Sequence, residues 1–264
     1  MEAKFTSLYS GSDKNCLVLA YGGTNLLIDC GGSMKAIRER LTSLDMGLED
    51  ISALLITHDH IDHINALKTL VKNTDMKIYS SYGTHKAIYK SGIDMNPHRR
   101  IIAEANTVFD IGDIGVEPFA TPHDAAEPFG YNFYCGEKTA SVATDLGHIP
   151  QNFEHTVKGR DFLFLESNHD ITLLNQTNRP YSLKKRILGE KGHLCNQISA
   201  DFASGLALKG LKRLMLGHLS GDANNPPLAY RTAAETLERR GIKVREDILL
   251  GVAMRGTLSE TVCF

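Results

Sequence analysis

The stretch Thr57-His58-Asp59-His60-Ile61-Asp62-His63 places three histidines and two aspartates within seven residues. Imidazole and carboxylate donors together suit divalent cations such as Zn, Mn and Fe. His58 and His60 stand two apart, so in extended chain they point to the same side. Asp62 and His63 fall at the start of a helix-like pattern and can turn toward a second ion. The spacing is that of half a two-metal site, because four donors so close together exceed what one ion takes from a single segment. A merely solvated loop has no need of this composition.

The elements around the stretch must hold it still. The apolar run Ile51 to Ile56 is a strand that delivers it, and Ile64, Leu67, Leu70 and Val71 give the next helix its buried stripe. The donors therefore lie beyond the carboxyl end of a strand, where open α/β folds place their sites. Other candidates occupy the same kind of position. Asp29 ends the buried strand Asn25 to Asp29, ahead of Gly31-Gly32, and either braces a ligand histidine or caps a turn. His123 follows the strand Ile114 to Ala120 behind Pro122 and is a third-ligand candidate for the first ion. Tyr131 to Cys135 and Thr139 to Ala143 make a hairpin around Gly136, and Asp145 follows it. That carboxylate either bridges two cations about 3.5–4 Å apart or caps a helix. Phe162 to Glu166 is a strand running into Ser167-Asn168-His169-Asp170, and Arg213 to Leu216 is a strand delivering Gly217-His218.

Further strands are expected at Lys4 to Ser7, Asn15 to Ala20, Lys77 to Ser80 and Ile248 to Leu250, with Gly-rich turns at Ser10-Gly11-Ser12 and Gly22-Gly23. Helices are expected after Ser33, at Thr84 to Lys90, from Leu194 to Leu208, and from Asn224-Asn225-Pro226-Pro227 to Arg240. His85 in the second of these is read as structural or exposed. Lys184-Lys185-Arg186 lies in a polar stretch that leads to Gly192-His193. Each half of the chain presents strands and then helices, and each strand series ends in metal-type residues. This predicts an α/β fold: two mixed sheets face to face, helices outside, and the site at one shared edge.

With 264 residues, 42% hydrophobic and 23% charged, the chain has ordinary globular usage. It is expected to form one hydrolase domain over residues 1–264. A formal net charge of −2 neither requires nor excludes a polyanionic partner. The five cysteines (Cys16, Cys30, Cys135, Cys195 and Cys263) have no C-x-x-C spacing, which argues for reduced thiols and against a disulfide framework. The start lacks an apolar signal region and no stretch is long enough to span a bilayer, so a cytoplasmic protein without membrane contact is expected.

The signature His58-x-His60-x-Asp62-His63, followed in order by His123, Asp145 and His218, resembles that of metallo-β-lactamase-fold hydrolases. The resemblance implies an αββα sandwich. It also implies one cation on His58, His60, His123 and Asp145, a second on Asp62, His63, His218 and Asp145, and Asp29 as a brace. Ser10-Gly11-Ser12 with Asn15, His123-Asp124-Ala125-Ala126-Glu127-Pro128, Ala143 to Gly147, Asn168-His169-Asp170, Lys191 to Leu194 and Gly217 to Ser220 are similar to the YycJ/WalJ branch. That branch implies DNA as substrate and exonuclease activity. Asp59, where the branch usually has Glu, and Cys195, where Ser is common, depart from its pattern.

The expected chemistry is hydrolysis of a phosphodiester by a hydroxide shared between two divalent ions (Zn, Mn or Fe), water's pKa falling from 15.7 to about 7. Asp62 would either orient the nucleophile as well or serve as a ligand alone. His169 or His193 would protonate the leaving oxygen, with His169 preferred because it follows a buried strand. Ser10, Ser12, Asn15, Lys184, Lys185 and Arg186 are candidate phosphate contacts. Two alternatives remain: a small-molecule hydrolase acting on a cyclic phosphodiester, thioester or lactone, and a metal-binding sensor without catalysis.

Overall fold

The structure, a computed structural model, describes all 264 residues. The first half of the chain forms β1 (Lys4–Gly11), β2 (Lys14–Tyr21), β3 (Thr24–Ile28), α1 (Met34–Thr42), β4 (Ala53–Leu55), α2 (Ile61–Ile64), α3 (Leu67–Asn73), β5 (Lys77–Ser80), α4 (Tyr82–Lys90) and β6 (Arg100–Ile102). There follow β7 (Phe109–Ile111), β8 (Ile114–Ala120), β9 (Phe129–Cys135), β10 (Lys138–Ala143), α5 (Phe153–Val157), β11 (Phe162–Glu166), α6 (Ile171–Gln176) and α7 (Tyr181–Ile187). The chain closes with α8 (Asn196–Ala207), β12 (Arg213–Gly217), α9 (Pro226–Arg239), β13 (Leu249–Val252) and β14 (Val262–Cys263).

These strands build two seven-stranded mixed sheets, ordered β14-β1-β2-β3-β4-β5-β6 and β13-β12-β11-β10-β9-β8-β7. Period-two alternation dictates their packing. In β2, Leu17 and Leu19 enter the core between the sheets while Cys16 and Val18 face the helices. In β11, Phe162 and Phe164 enter the same central core, and Leu163 and Leu165 pack against helices on the other side. Both faces of each central strand are thus apolar, which is why these strands are continuous hydrophobic runs. Burying each such side chain contributes about 1.5–3 kcal/mol. The result is the expected αββα sandwich, and the five cysteines are free thiols. No helix is long and apolar enough to cross a membrane.

Several elements differ from the sequence reading. Gly11 stays in β1, so the expected Ser10-Gly11-Ser12 turn shifts to Ser12-Asp13. The polar stretch after His169 contains α6 and α7, and α5, β6 and β14 were not expected either. All are short; the few apolar residues of α6 and α7, Leu174, Leu183 and Ile187, pack into a small cluster of their own, while Phe153 and Val157 of α5 join a larger core. So small a stripe carries little periodicity.

One end of the sandwich collects the chemistry. Asp29 follows β3, Thr57 and His58 follow β4, His123 follows β8, Asp145 follows β10, Glu166 ends β11 and His218 follows β12. The end of β4 is fixed from both sheets. The Ile56 carbonyl accepts from Ser80 Oγ (2.9 Å) and Tyr131 Oη (2.7 Å), and Phe129 N donates to the Thr57 carbonyl (2.9 Å).

Candidate metal centre

Three of these strand-end residues leave the ordinary backbone regions. Asp29, Asp145 and His218 have φ of 60°, 56° and 57°, a left-handed conformation that costs a non-glycine residue of order 1 kcal/mol. Each is held there by its partners. Asp29 accepts from Thr57 N and Thr57 Oγ1 (both 2.8 Å) and from His63 Nδ1 (2.7 Å). Its carboxylate therefore ties β3 to the histidine loop and orients His63 through Nδ1, so that Nε2 is the nitrogen turned toward Asp62 and Asp145. Gly31 permits this closure, since a Cβ there would stand 1.6 Å from the Asp62 carbonyl oxygen.

The donors fall into overlapping groups: His58, His60 and His123; Asp62, His63 and His218; and His58, His63 and Asp145. Within each, ligand atoms lie within 4.8 Å of one another. Asp145 sits between the first two. Its Oδ1 is 3.5 Å from both His123 Nε2 and His218 Nε2, and its Oδ2 is 3.4 Å from His63 Nε2. His123 Nε2 also approaches His60 Nδ1 at 3.3 Å, while its Nδ1 is held by the Gly192 carbonyl at 3.0 Å. The structure thus brings all seven sequence-predicted donors into one cluster.

Glu166 is a site residue that sequence reading left as a mere strand end. Fully buried, its Oε1 accepts from His218 Nδ1 (2.9 Å) and His193 Nδ1 (2.7 Å), and its Oε2 from the amides of Leu146 (2.8 Å) and Leu194 (3.1 Å). It does for His218 what Asp29 does for His63. The available signal was a carboxylate closing an otherwise apolar strand, the pattern that also marks Asp29.

Electrostatics follow from burial against this acid cluster. Burial opposes charge on His218, yet Asp145, Asp62 and Glu166 outweigh it and raise its pKa to about 10. His63 is likewise raised, against burial, by Asp29, Asp145 and Asp62. Burial and the neighbouring imidazole of His63 push His58 well below the usual histidine range. Burial disfavours the charged forms of Asp62 and Asp145, but the surrounding imidazoles hold both below the usual carboxylate range. Glu166 is pulled down to about 2, against burial, by His193 and His218.

The residues present fit divalent cations. His58 Nε2 and His218 Nε2 are buried without any hydrogen-bond partner, an arrangement that proteins avoid unless another group satisfies the atom. The carboxylates beside them supply charge, and Asp29, Glu166 and the Gly192 carbonyl orient three of the rings as ligand histidines require.

The remaining candidates separate. A cleft of about 300 Å³ over the cluster is lined by Ser12, Arg179, Leu183, Arg186 and His193, among others. Ser10 does not face it, because its buried hydroxyl donates no contact outward and accepts from His218 N at 2.7 Å. Asn15 is also buried, bonded to Gly11 and 3.0 Å from His63 Nε2. Lys184 donates to the carbonyls of Asn175 and Thr177 (both 2.7 Å), and Lys185 does not line the cleft. Arg186 lines it and forms a two-pronged pair with Asp124. Arg179, absent from the sequence reading, also lines it and pairs with Asp222.

The two acid candidates are placed differently. His169 is buried, lies outside the cleft lining, has neither ring nitrogen bonded, and is pushed by burial to about 4. His193 lines the cleft with Nδ1 anchored on Glu166. Of the branch departures, Asp59 accepts from Ala126 N at 2.9 Å and so holds the loop after His123, while Cys195 is buried ahead of α8.

Residues 24–218 match the model of the beta-lactamase superfamily domain. The chain belongs to that superfamily. Among its members, it is 33% identical over 246 residues to the exodeoxyribonuclease YycJ of Bacillus anthracis, covering 93% of each chain. It is 32% identical to the exodeoxyribonuclease WalJ of Streptococcus pneumoniae, covering 92% of this chain and 91% of that one. The resemblance to the YycJ/WalJ branch therefore holds over nearly the whole length. Solved structures share the fold: the metallo-beta-lactamase fold protein YhfI from Bacillus subtilis has a TM-score of 0.68 at 14% identity, covering 98% of this chain and 99% of that one. Unliganded yeast PDE1 gives 0.70 at 15%, covering 97% and 99%. Superfamily, relatives and the His/Asp cluster together support a metal-dependent hydrolase using divalent cations.

Proposed function

We propose that this protein is a metal-dependent phosphodiesterase that degrades DNA from an end. The observation that carries the reading is Asp145, a buried carboxylate that lies between the two groups of histidines, its Oδ1 3.5 Å from Nε2 of both His123 and His218 and its Oδ2 3.4 Å from His63 Nε2. The near full-length similarity to exodeoxyribonucleases supports DNA as the substrate. That strands of both sheets contribute to one cluster supports taking residues 1–264 as a single hydrolase domain.

His58, His60, His123 and Asp145 would hold one cation, and Asp62, His63, His218 and Asp145 the other, with Zn, Mn or Fe all compatible with the donor set. When bound, such cations stabilise charge on phosphate oxygens and lower the pKa of water enough to supply a nucleophile at neutral pH. The chain's own residues do the rest. Asp62 lines the cleft and accepts a hydrogen bond from the attacking water, orienting it. Arg179 and Arg186 present planar guanidinium forks that match phosphate geometry, their present carboxylate partners marking where anions are accepted. His193, held by Glu166 through Nδ1, has Nε2 available to pass a proton to the leaving sugar oxygen.

The test is digestion of end-labelled DNA with Mn or Zn supplied, beside a His60→Ala control. Stepwise shortening from one end, lost in the control, is expected. A cleft of about 300 Å³ also suits a small ligand, which favours a small phosphodiester as the second reading. Hydrolysis of bis-p-nitrophenyl phosphate with intact DNA would select it.

A further inference from the structure

Helix α4 departs from the usual amphipathic division. It buries Thr84, His85 and Ile88, yet its outer stripe carries Tyr82 and Tyr89, which are 60% and 59% exposed. Tyr82, Lys86 and Tyr89 stand at i, i+4 and i+7 and so share one face, the backbone positions of the two tyrosines about 10.5 Å apart along the axis. Lys86 Nζ lies 5.9 Å from the centre of the Tyr82 ring. Opposite them, Pro97, Arg100 and Ile102, itself 53% exposed on edge strand β6, complete a groove of about 420 Å³. Its lining contains no carboxylate.

The groove is built in advance. His85 Nε2 lies 3.1 Å from the Ile101 carbonyl and so joins its two walls. Buried Arg99 donates to the carbonyls of Met76 (3.0 Å) and Val71 (2.8 Å), which fixes the segment that presents Arg100. Hydrogen bonds also tie its helix to the loops of the metal cluster. Gly83 N donates to Glu127 Oε2 (2.6 Å) and Ser81 Oγ to the Glu127 carbonyl (2.7 Å). Glu127 belongs to the loop that starts at His123, and that loop is tied to the histidine stretch by Asp59.

We propose that this groove binds the single-stranded continuation of the DNA strand whose end occupies the metal cleft. Exposed aromatic faces interleaved with cations are what unpaired bases and a phosphate backbone require, since stacking needs a base free of its partner strand. Without acidic lining, the groove complements a polyanion. The inference rests on the nuclease reading and extends it: chain length, and not the terminal nucleotide alone, determines binding.

Two variants test it, Tyr82→Ala/Tyr89→Ala and Lys86→Glu/Arg100→Glu, all at solvent-facing positions of the groove. Equilibrium binding of a labelled oligothymidylate of about 20 nucleotides is measured with chelator present, so that turnover does not intervene. KM and kcat are then measured with metal on the same strand, on a dinucleotide and on bis-p-nitrophenyl phosphate. Each variant should weaken oligonucleotide binding and raise its KM at least ~10-fold, or about 1.4 kcal/mol, with kcat and both short substrates unchanged. The charge-reversal variant should also flatten the salt dependence. Wild-type affinity and KM in both variants overturn the proposal and leave the groove to another partner, such as a peptide strand added to β6. The nuclease reading fails separately, if the wild-type protein binds the strand but does not shorten it.

Discussion

Glu166 Oε1 stands 2.9 Å from Nδ1 of His218, at the end of a fully buried strand, and the same oxygen anchors His193. One carboxylate thereby orients a metal-donor histidine and the histidine assigned as acid. Glu166→Ala should lower metal affinity about 10–100-fold and slow turnover of metal-saturated enzyme as well. Chelator competition and saturated-metal kinetics check the two effects separately, and full affinity in the variant would remove Glu166 from the site.

Asp29 makes the corresponding contact with His63, and Gly31 lets the two segments meet. Gly31→Ala would force the Asp62 carbonyl away from a position 1.6 Å from the new Cβ. Destabilisation of about 1–3 kcal/mol or more is expected, together with weakened metal binding. Denaturant unfolding with and without metal measures both.

His193 and His169 can be told apart by kinetics. His193→Ala should reduce kcat on DNA about 10²–10⁴-fold while metal content stays whole. His169→Asn should leave kcat within a few-fold, because His169 is buried outside the cleft lining. The reverse pattern would restore His169 as the acid.

The metal-free protein should be most stable near the ordinary histidine pKa of about 6.5. His218, raised to about 10, contributes stability that is complete below 6.5 and is lost as pH rises through 10. His169, lowered to about 4, acts oppositely: the unfolded chain binds its proton first, so stability falls as pH drops from 6.5 through 4. Thermal midpoints of chelator-treated protein across this range should trace both limbs, and His169→Asn should flatten the acid one. A midpoint that climbs steadily from pH 6.5 to 9 would contradict the assignment for His218.

What the sequence disclosed depended on how local each feature is. His58, His60, Asp62 and His63 carry their own signature because four donors share one loop, and the strand ends at Asp29, Asp145 and His218 follow from apolar runs meeting a polar residue. The sandwich is legible for the same reason: runs such as Phe162 to Leu165 are apolar on both faces. Side-chain direction past a strand end is not local. His169 follows a buried strand as its neighbours do, yet it is buried outside the cleft lining, whereas His193 reaches the cleft from a loop placed by Glu166 and packed around Gly192. Ser10, expected in a turn, and Asn15, expected at the start of a strand, were candidate phosphate contacts but are drawn inward by bonds to segments far along the chain. Arg179 gave no sign, since only the folding back of α6 and α7 brings it over the cluster.

The most direct test is to strip the protein with chelator and then titrate Mn or Zn, following metal bound per chain and hydrolysis of end-labelled DNA in the same samples. No hydrolysis is expected without metal, and activity should saturate at two ions per chain, with Asp145→Asn losing tight binding and turnover together. Full hydrolysis by the stripped protein, or saturation with metal and no cleavage of any phosphodiester, would contradict the proposed function.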